Sequence, residues 1–191
     1  MMGDKFGFPP LIRKLKRGPQ VILPKDFGLI VAFSGVGKDS FVVDIGTGSG
    51  FLAIAMANIA ARVVTYEWKH EFAELARKNI ERSGLTNIEL KEKNAFEGIE
   101  ETNADLMTID IANAERVVPI AKNCIKDGGC IAAFLPNVEQ LKEFVLACES
   151  ENFSEVFAVE CIIREMLVRK FGVRPATKGI THTGYLAFAR K

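Results

Sequence analysis

The sequence predicts an α/β protein built on a doubly wound, mostly parallel sheet of seven strands whose last strand runs antiparallel. Three observations carry this. Short β-branched runs alternate with longer segments of helical periodicity over residues 41–150. The first run, "FVVDI" at 41–45, opens directly into "GTGSG" at 46–50, with glycine on alternate positions. The last two strand-like runs, at 153–168 and 184–190, have no helix between them and so are expected to pair antiparallel.

The elements follow in order. Residues 1–23 form a short arm, basic at "RKLKR" (13–17), ahead of a single domain over 24–191. Asp26, two residues after Pro24, is placed to cap a helix beginning there. "FLAIAMANIA" (51–60) is apolar almost all round, as a covered helix should be. "RVVTYE" (62–67) is a second strand. Over 69–83, Phe72, Leu75, Ala76, Asn79 and Ile80 make one stripe of an amphipathic helix, which Gly84 stops. "NIELKE" (87–92) and "ADLMTIDI" (104–111) are strands. The helix over 114–126 contains Pro119, which should kink it or shorten its first turn. A strand at 128–136 and a helix at 138–150 complete the alternation. Ligands of such sheets sit beyond the carboxyl ends of the strands, here just after Ile45, Tyr66, Glu92, Ile109 and Leu135.

Composition narrows the function classes. The 191 residues suit one domain, and 48% apolar with 26% charged residues is an ordinary globular mix. The longest apolar run, 51–57, is too short to cross a bilayer, and "MMGDKFGFPP" lacks the apolar core of a signal peptide. A cytoplasmic protein with no membrane partner is expected. A net charge of +1 provides no global field toward a polyanion, but Arg164, Arg169, Lys170, Arg174 and Lys178 stand against one acid, Glu165, over 164–178. Each basic stretch alone reads most simply as a solvated surface. Cys124, Cys130, Cys148 and Cys161 have no C-x-x-C spacing, and His70 and His182 lie far from them, so no metal site is expected.

Three ligands would explain the glycines. A phosphate loop is excluded at "SGVGKDS" (34–40): Ala32 stands where its first glycine should be, Asp39 where its hydroxyl should be, and the segment precedes its strand. A dinucleotide needs a third glycine at 51, where Phe51 would hold helix and strand apart. A nucleoside with a small charged tail fits better. Gly46, Gly48 and Gly50, with Thr47 and Ser49 between them, turn tightly and leave backbone exposed to an amino-acid moiety. Glu67, ending the second strand, suits two ribose hydroxyls, and Asp44 suits an ammonium, directly or through water. "DIGTGSG" resembles the D/E-x-G-x-G-x-G signature of class I methyltransferases, a Rossmann-like fold that binds S-adenosyl-L-methionine.

Two flanking stretches narrow the resemblance. "RGPQVILPKD" (17–26) and "THTGYLAFAR" (181–190) resemble the archaeal and bacterial tRNA (adenine-N1)-methyltransferases, which act on adenine in the T-loop, and "REMLVRKFGVRPATKGITHTGY" resembles the archaeal form of that tail. The resemblance runs from about residue 13 to the end. It implies that Gln20 and the following turn fold over the cofactor, that Glu67 holds the ribose, and that the loop of Asn94, Ala95 and Phe96 contacts the cofactor adenine. It makes Asp110 the substrate-side carboxylate, and His182 a candidate second catalytic residue. It also implies a tRNA partner and a homotetramer. The chain departs from the family in three ways: little precedes "RGPQ", where a small β-rich domain is usual; the loop after Asp110 reads Ile111-Ala112-Asn113-Ala114 rather than carrying proline; and Leu23 stands where bacterial members have tyrosine.

Each feature has a plainer reading, in which the glycines only turn, Asp110 only favours a helix N-terminus and His182 only satisfies a turn. Two other functions stay open at this level. One is a class I methyltransferase acting on a small molecule such as a corrin precursor. The other is a non-catalytic subunit of a tRNA methyltransferase complex.

Overall fold

In the computed structural model, residues 9–18, 21–179 and 182–191 are described. The strands are Phe41–Ile45 (β1), Arg62–Tyr66 (β2), Ile88–Lys91 (β3), Ala104–Ile109 (β4), Ile125–Leu135 (β5), Ser154–Glu160 (β6), Met166–Arg169 (β7), Gly172–Pro175 (β8) and Tyr185–Arg190 (β9). Seven of them form one sheet in the order β3-β2-β1-β4-β5-β9-β6, while β7 and β8 pair only with each other. β1 to β5 are mutually parallel, and β9 is antiparallel to both β5 and β6. This is the expected doubly wound sheet with an antiparallel last strand.

The helices are Pro10–Arg13 (α1), Pro24–Ser34 (α2), Phe51–Ala57 (α3), His70–Ser83 (α4), Val118–Cys124 (α5) and Val138–Ser150 (α6). Period-two alternation along the strands sends apolar residues to both faces. Val43, Ile45, Met107, Ile109 and Ile131 pack with Val118, Phe144 and Cys148 of α5 and α6. Val42, Val63, Leu106 and Ala132 face the other way, onto Ile30, Leu52 and Met56 of α2 and α3. Complete burial of each large side chain contributes about 1.5–3 kcal/mol, so a sheet covered on both faces supplies most of the driving force. The arm residues Ile12 and Leu15 are buried against Phe51 and Ile54. Asn79, wholly buried on α4, bonds both the N–H and the carbonyl of Lys16, each at 2.9 Å, and donates to the Ser49 carbonyl at 2.8 Å.

Two expectations are refined. The run 153–168 is not one strand. Its partner β9 begins at Tyr185, opposite Glu160, so beyond Glu160 the backbone has no neighbour in the sheet. The chain instead folds back on itself through a two-residue turn at Lys170 and Phe171, and β7 and β8 satisfy each other. Pro119 does not kink a long helix. A 3-10 turn, Ala114–Val117, precedes α5, and Pro119 falls in the first turn of α5, where a missing N–H costs nothing.

The sheet order reverses between β1 and β4, which both run toward the same edge. The crevice at such a reversal is where ligands of open α/β sheets bind.

Candidate active site

The turn after β1 is shaped by its three glycines. Gly46, Gly48 and Gly50 have φ of +96°, +54° and +81°, values that strain any other residue. Gly46 is constrained twice, because a Cβ there would lie 2.4 Å from the Asp110 carbonyl oxygen and 2.6 Å from Ile111 Cγ2. The backbone N–H groups of Gly46 and Thr47 both donate to the Tyr66 carbonyl, at 3.0 and 3.1 Å, and Asp110 N–H donates to the Ile45 carbonyl at 2.8 Å. The ends of β1, β2 and β4 are thereby bound together around the turn.

Glu67 follows β2 and is 6% exposed. Its Oε2 accepts from Gly48 N–H and its Oε1 from Lys69 N–H, both at 2.9 Å. A carboxylate has about four acceptor positions, so roughly two remain for a ligand.

Asp44 sits beneath the turn. Register places it directly opposite Thr65 on β2 and Thr108 on β4. Thr108 Oγ1 donates to its Oδ1 at 2.5 Å and Thr65 Oγ1 to its Oδ2 at 2.7 Å, while Thr65 Oγ1 also meets Thr47 Oγ1 at 2.6 Å. Burial raises the Asp44 pKa, and the two threonine hydroxyls oppose that shift. Asp44 is wholly buried and forms no part of the cavity lining.

Above the turn lies a cavity of about 560 Å³, whose lining includes Gly46, Thr47, Gly48, Ser49, Glu67, Asn94, Ala95 and Asp110. Eight sequence-predicted residues therefore converge on one space. Gly50 does not line it; it caps α3 and packs against Ile54 and Ala76. Gln20 lies outside the described residues, though Val21 and Ile22, which follow it, do line the cavity. His182 is not brought in. Its Nδ1 pairs with Glu160 Oε1 at 2.6 Å, and its ring lies 5.0 Å from that of Tyr185. The Glu160 hydrogen bond raises the His182 pKa.

Asp110 is chemically the most distinctive wall. Its side chain makes no hydrogen bond among the described residues. Burial, reinforced by the charge of Asp44, lifts its pKa to about 7. Asn94 Oδ1 accepts from Phe96 N–H at 3.1 Å, capping the 3-10 turn Ala95–Glu97, and keeps one lone pair. The wall formed by this loop is braced from below. Tyr66 donates its hydroxyl to Glu101, whose other oxygen is bonded by Lys91, and Glu100 N–H donates to the Tyr66 oxygen at 3.2 Å. Burial of Tyr66 and its hydrogen bond to Glu101 raise its pKa to about 12, against the opposing effect of the Glu100 N–H.

Sequence reasoning missed Trp68, which lines the cavity beside Glu67 yet is 63% exposed. The signal was present: the only tryptophan of the chain directly follows a strand-end acid. Phe72 and Lys69 also line the cavity, with the Lys69 ammonium 5.4 Å from the Phe72 ring centroid. Their positions on the helical stripe and its flank look like ordinary core and surface, so nothing local marks them. Among the described residues there is no cluster of His, Cys, Asp and Glu able to hold a metal, and no helix long and apolar enough to cross a membrane. Burial pushes the thiols of Cys124 and Cys148 up to about 12 and that of Cys130 to about 11.

A glycine turn after β1, an acid after β2 and a second carboxylate after β4, all on one crevice of this sheet, are the arrangement of a class I methyltransferase. The family is narrower. A profile described as the tRNA methyltransferase complex GCD14 subunit matches residues 12–174, and the chain belongs to that family. The tRNA (adenine(57)-N(1)/adenine(58)-N(1))-methyltransferase TrmI of Methanocaldococcus jannaschii is 33% identical, across 94% of this chain and 74% of that protein. Two solved structures are similar throughout. A SAM-dependent O-methyltransferase of Thermotoga maritima gives a TM-score of 0.90 at 27% identity, over 96% of this chain and 71% of the other. The tRNA (m1A58) methyltransferase TrmI of Aquifex aeolicus gives 0.87 at 26% identity, over 94% and 74%.

Proposed function

We propose that this enzyme transfers the methyl group of S-adenosyl-L-methionine to N1 of an adenine in the T-loop of tRNA, in the cytoplasm. The observation that carries the reading is the Asp110 carboxylate, which lines the cavity beside Gly46 and makes no side-chain hydrogen bond among the described residues.

The residues present fit the cofactor. The turn of Gly46, Thr47, Gly48 and Ser49 lines the cavity, and at Gly48 a Cβ would meet only the Gly46 carbonyl, at 4.0 Å, so bare backbone there leaves open space. Glu67 keeps acceptor positions for two ribose hydroxyls, and Asn94 and Ala95 form the wall for an adenine. When bound, the cofactor supplies an electrophilic methyl group on a positively charged sulfur. Asp44 acts from beneath, holding Thr65 and Thr108 and so the mouths of β2 and β4 in register.

Asp110 then does the work on the substrate. Adenine N1 is a weak nucleophile because its lone pair belongs to a delocalised amidine. An ionised Asp110 accepts a hydrogen bond from the exocyclic amino group, which pushes electron density onto N1 and stabilises the charge that develops on the ring. Asp110, whose carboxyl otherwise titrates at about 7, would be held in that ionised form by a cationic ligand bound in the same cavity. Positioning supplies most of the rate in such a displacement. The target base must leave its stack to reach the cavity. The exposed residues Arg164, Arg169, Lys170, Arg174 and Lys178 serve the phosphates.

Incubation with labelled S-adenosyl-L-methionine and unmodified tRNA, followed by nucleoside mass spectrometry, should yield 1-methyladenosine. Absence of any methylated nucleoside would sink the reading. Met166 and Val168, 50% and 76% exposed on β7, support self-association to a homotetramer. Light scattering that finds only monomer at micromolar concentration would refute that part.

A further inference from the structure

Lys25 stands outside the cavity, yet its side chain is only 6% exposed. Its ammonium is fully engaged. It donates to Asp26 Oδ1 at 2.6 Å, to the Cys161 carbonyl at 2.7 Å and to Thr183 Oγ1 at 2.6 Å. Thr183 in turn donates to the second oxygen of the wholly buried Asp26, at 3.1 Å. Three donors meet three acceptors, and the network closes on itself. Buried ion pairs add little net stability compared with apolar packing of the same volume; their best-attested use is to select one arrangement.

The distant acceptors define the arrangement. Cys161 is the first residue after β6, and Thr183 stands two residues before β9. Between them the chain leaves the sheet and returns, carrying the hairpin of β7 and β8 and all five basic residues of 164–178. One ammonium therefore grips both roots of this excursion. Its own backbone opens α2, three residues beyond the cavity-lining Ile22. Tyr185, just past Thr183, pairs with Leu135 at the carboxyl end of β5, on the sheet edge that carries Gly46 and Asp110.

The hairpin is equipped for RNA. Opposed pairs share a face, so Leu167, Arg169 and Arg174 lie on one side, and Met166, Val168 and Val173 on the other. Phe171 sits at the tip, 93% exposed, a platform for an unstacked base, and the flanking arginines match phosphates in charge. We propose that Lys25 is a positioning residue: it anchors this hairpin as an RNA-docking element at a set distance from the methyl-transfer cavity. The inference rests on the function proposed above.

The test compares the wild-type chain with Lys25→Met/Asp26→Asn, which removes the ammonium and its buried counter-charge together, and with Thr183→Val, which leaves the ion pair and removes one anchor. Donor affinity is read by calorimetry, tRNA affinity by anisotropy at low salt, and methylation as separate kcat and KM for tRNA. The double variant should bind tRNA at least ~10-fold more weakly and show KM for tRNA raised in step. Its donor Kd should stay within about twofold. Thr183→Val should shift the same quantities by about threefold. Unchanged tRNA affinity and KM in a methylating enzyme would overturn the anchor alone. Donor and tRNA affinity falling together would also overturn it, by making the network merely structural. A wild-type chain that neither binds nor methylates tRNA would overturn both the anchor and the proposed function.

Discussion

Gly46 and Asp110 touch through their backbones: a methyl group on Gly46 would sit 2.4 Å from the Asp110 carbonyl oxygen. The glycine turn after β1 and the strand end that carries Asp110 are therefore one packed unit. Movement of either displaces both.

Gly46→Ala tests that unit. The substitution meets both a φ of +96° and the Asp110 carbonyl. Strain of this kind costs about 1–3 kcal/mol before the clash is counted. The variant should melt several degrees lower and show no measurable donor binding by calorimetry. Wild-type donor affinity in this variant would mean the crevice is not the donor site.

Glu67→Gln should weaken donor binding about 10–100-fold. The carboxylate accepts two backbone N–H groups with its two oxygens, whereas an amide has a single acceptor oxygen and would turn its own donors toward a backbone N–H. The readout is Kd by titration calorimetry, together with a melting curve that should fall by only a few degrees.

Asp110→Asn should lower kcat by about 10²–10⁴ while leaving donor Kd within a fewfold. In the wild-type enzyme, kcat/KM should rise with pH through about 7, because the ionised carboxylate is the active form. Stability should move the opposite way. The folded protein holds this proton up to about pH 7, while the unfolded chain releases it near 3.8. Between those values the folded state binds more protons, so the stability contributed by this group is greatest in acid and is lost as pH rises through 7. Asp110→Asn should therefore melt higher than wild type at pH 8, by on the order of 2 kcal/mol, and the advantage should vanish near pH 4.

Arg169→Ala/Arg174→Ala should reduce tRNA affinity and flatten its salt dependence. Each lost phosphate contact removes about 0.7–0.9 from the slope of log K against log salt. Binding isotherms over a salt series check this. An unchanged slope would place the phosphates elsewhere.

Much of the site was legible because its residues are tied to strand ends. Gly46 to Gly50 follow a β-branched run that reads as a buried strand, and the φ > 0 positions of this turn favour glycine. Glu67 and Asp110 follow two further runs of the same kind, and a parallel sheet delivers all such ends to one edge. Asp44 reads in the sequence as an acid for a ligand's ammonium, but the fold buries it beneath the turn, outside the cavity lining, against partners no local pattern records. Thr65 and Thr108 lie 21 and 64 residues away, and only the register of two strand pairs sets them beside it. His182 shows the converse: a histidine in a resembling tail that the fold sends to Glu160 instead of the cavity.

What the sequence determined alone is the local part: strand and helix periods, the glycine turn, the stop at Gly84, and the family through its end segments. These depend on residues close in the chain, where side-chain shape and backbone freedom act directly. Tertiary structure decided everything that needed two distant segments to meet. It set the near-neutral Asp110 beside buried Asp44, the brace under the Asn94 loop, and the Lys25 network that joins residues 136 and 158 positions apart. Burial and long-range hydrogen bonding depend on the whole packed chain, and no local pattern records them.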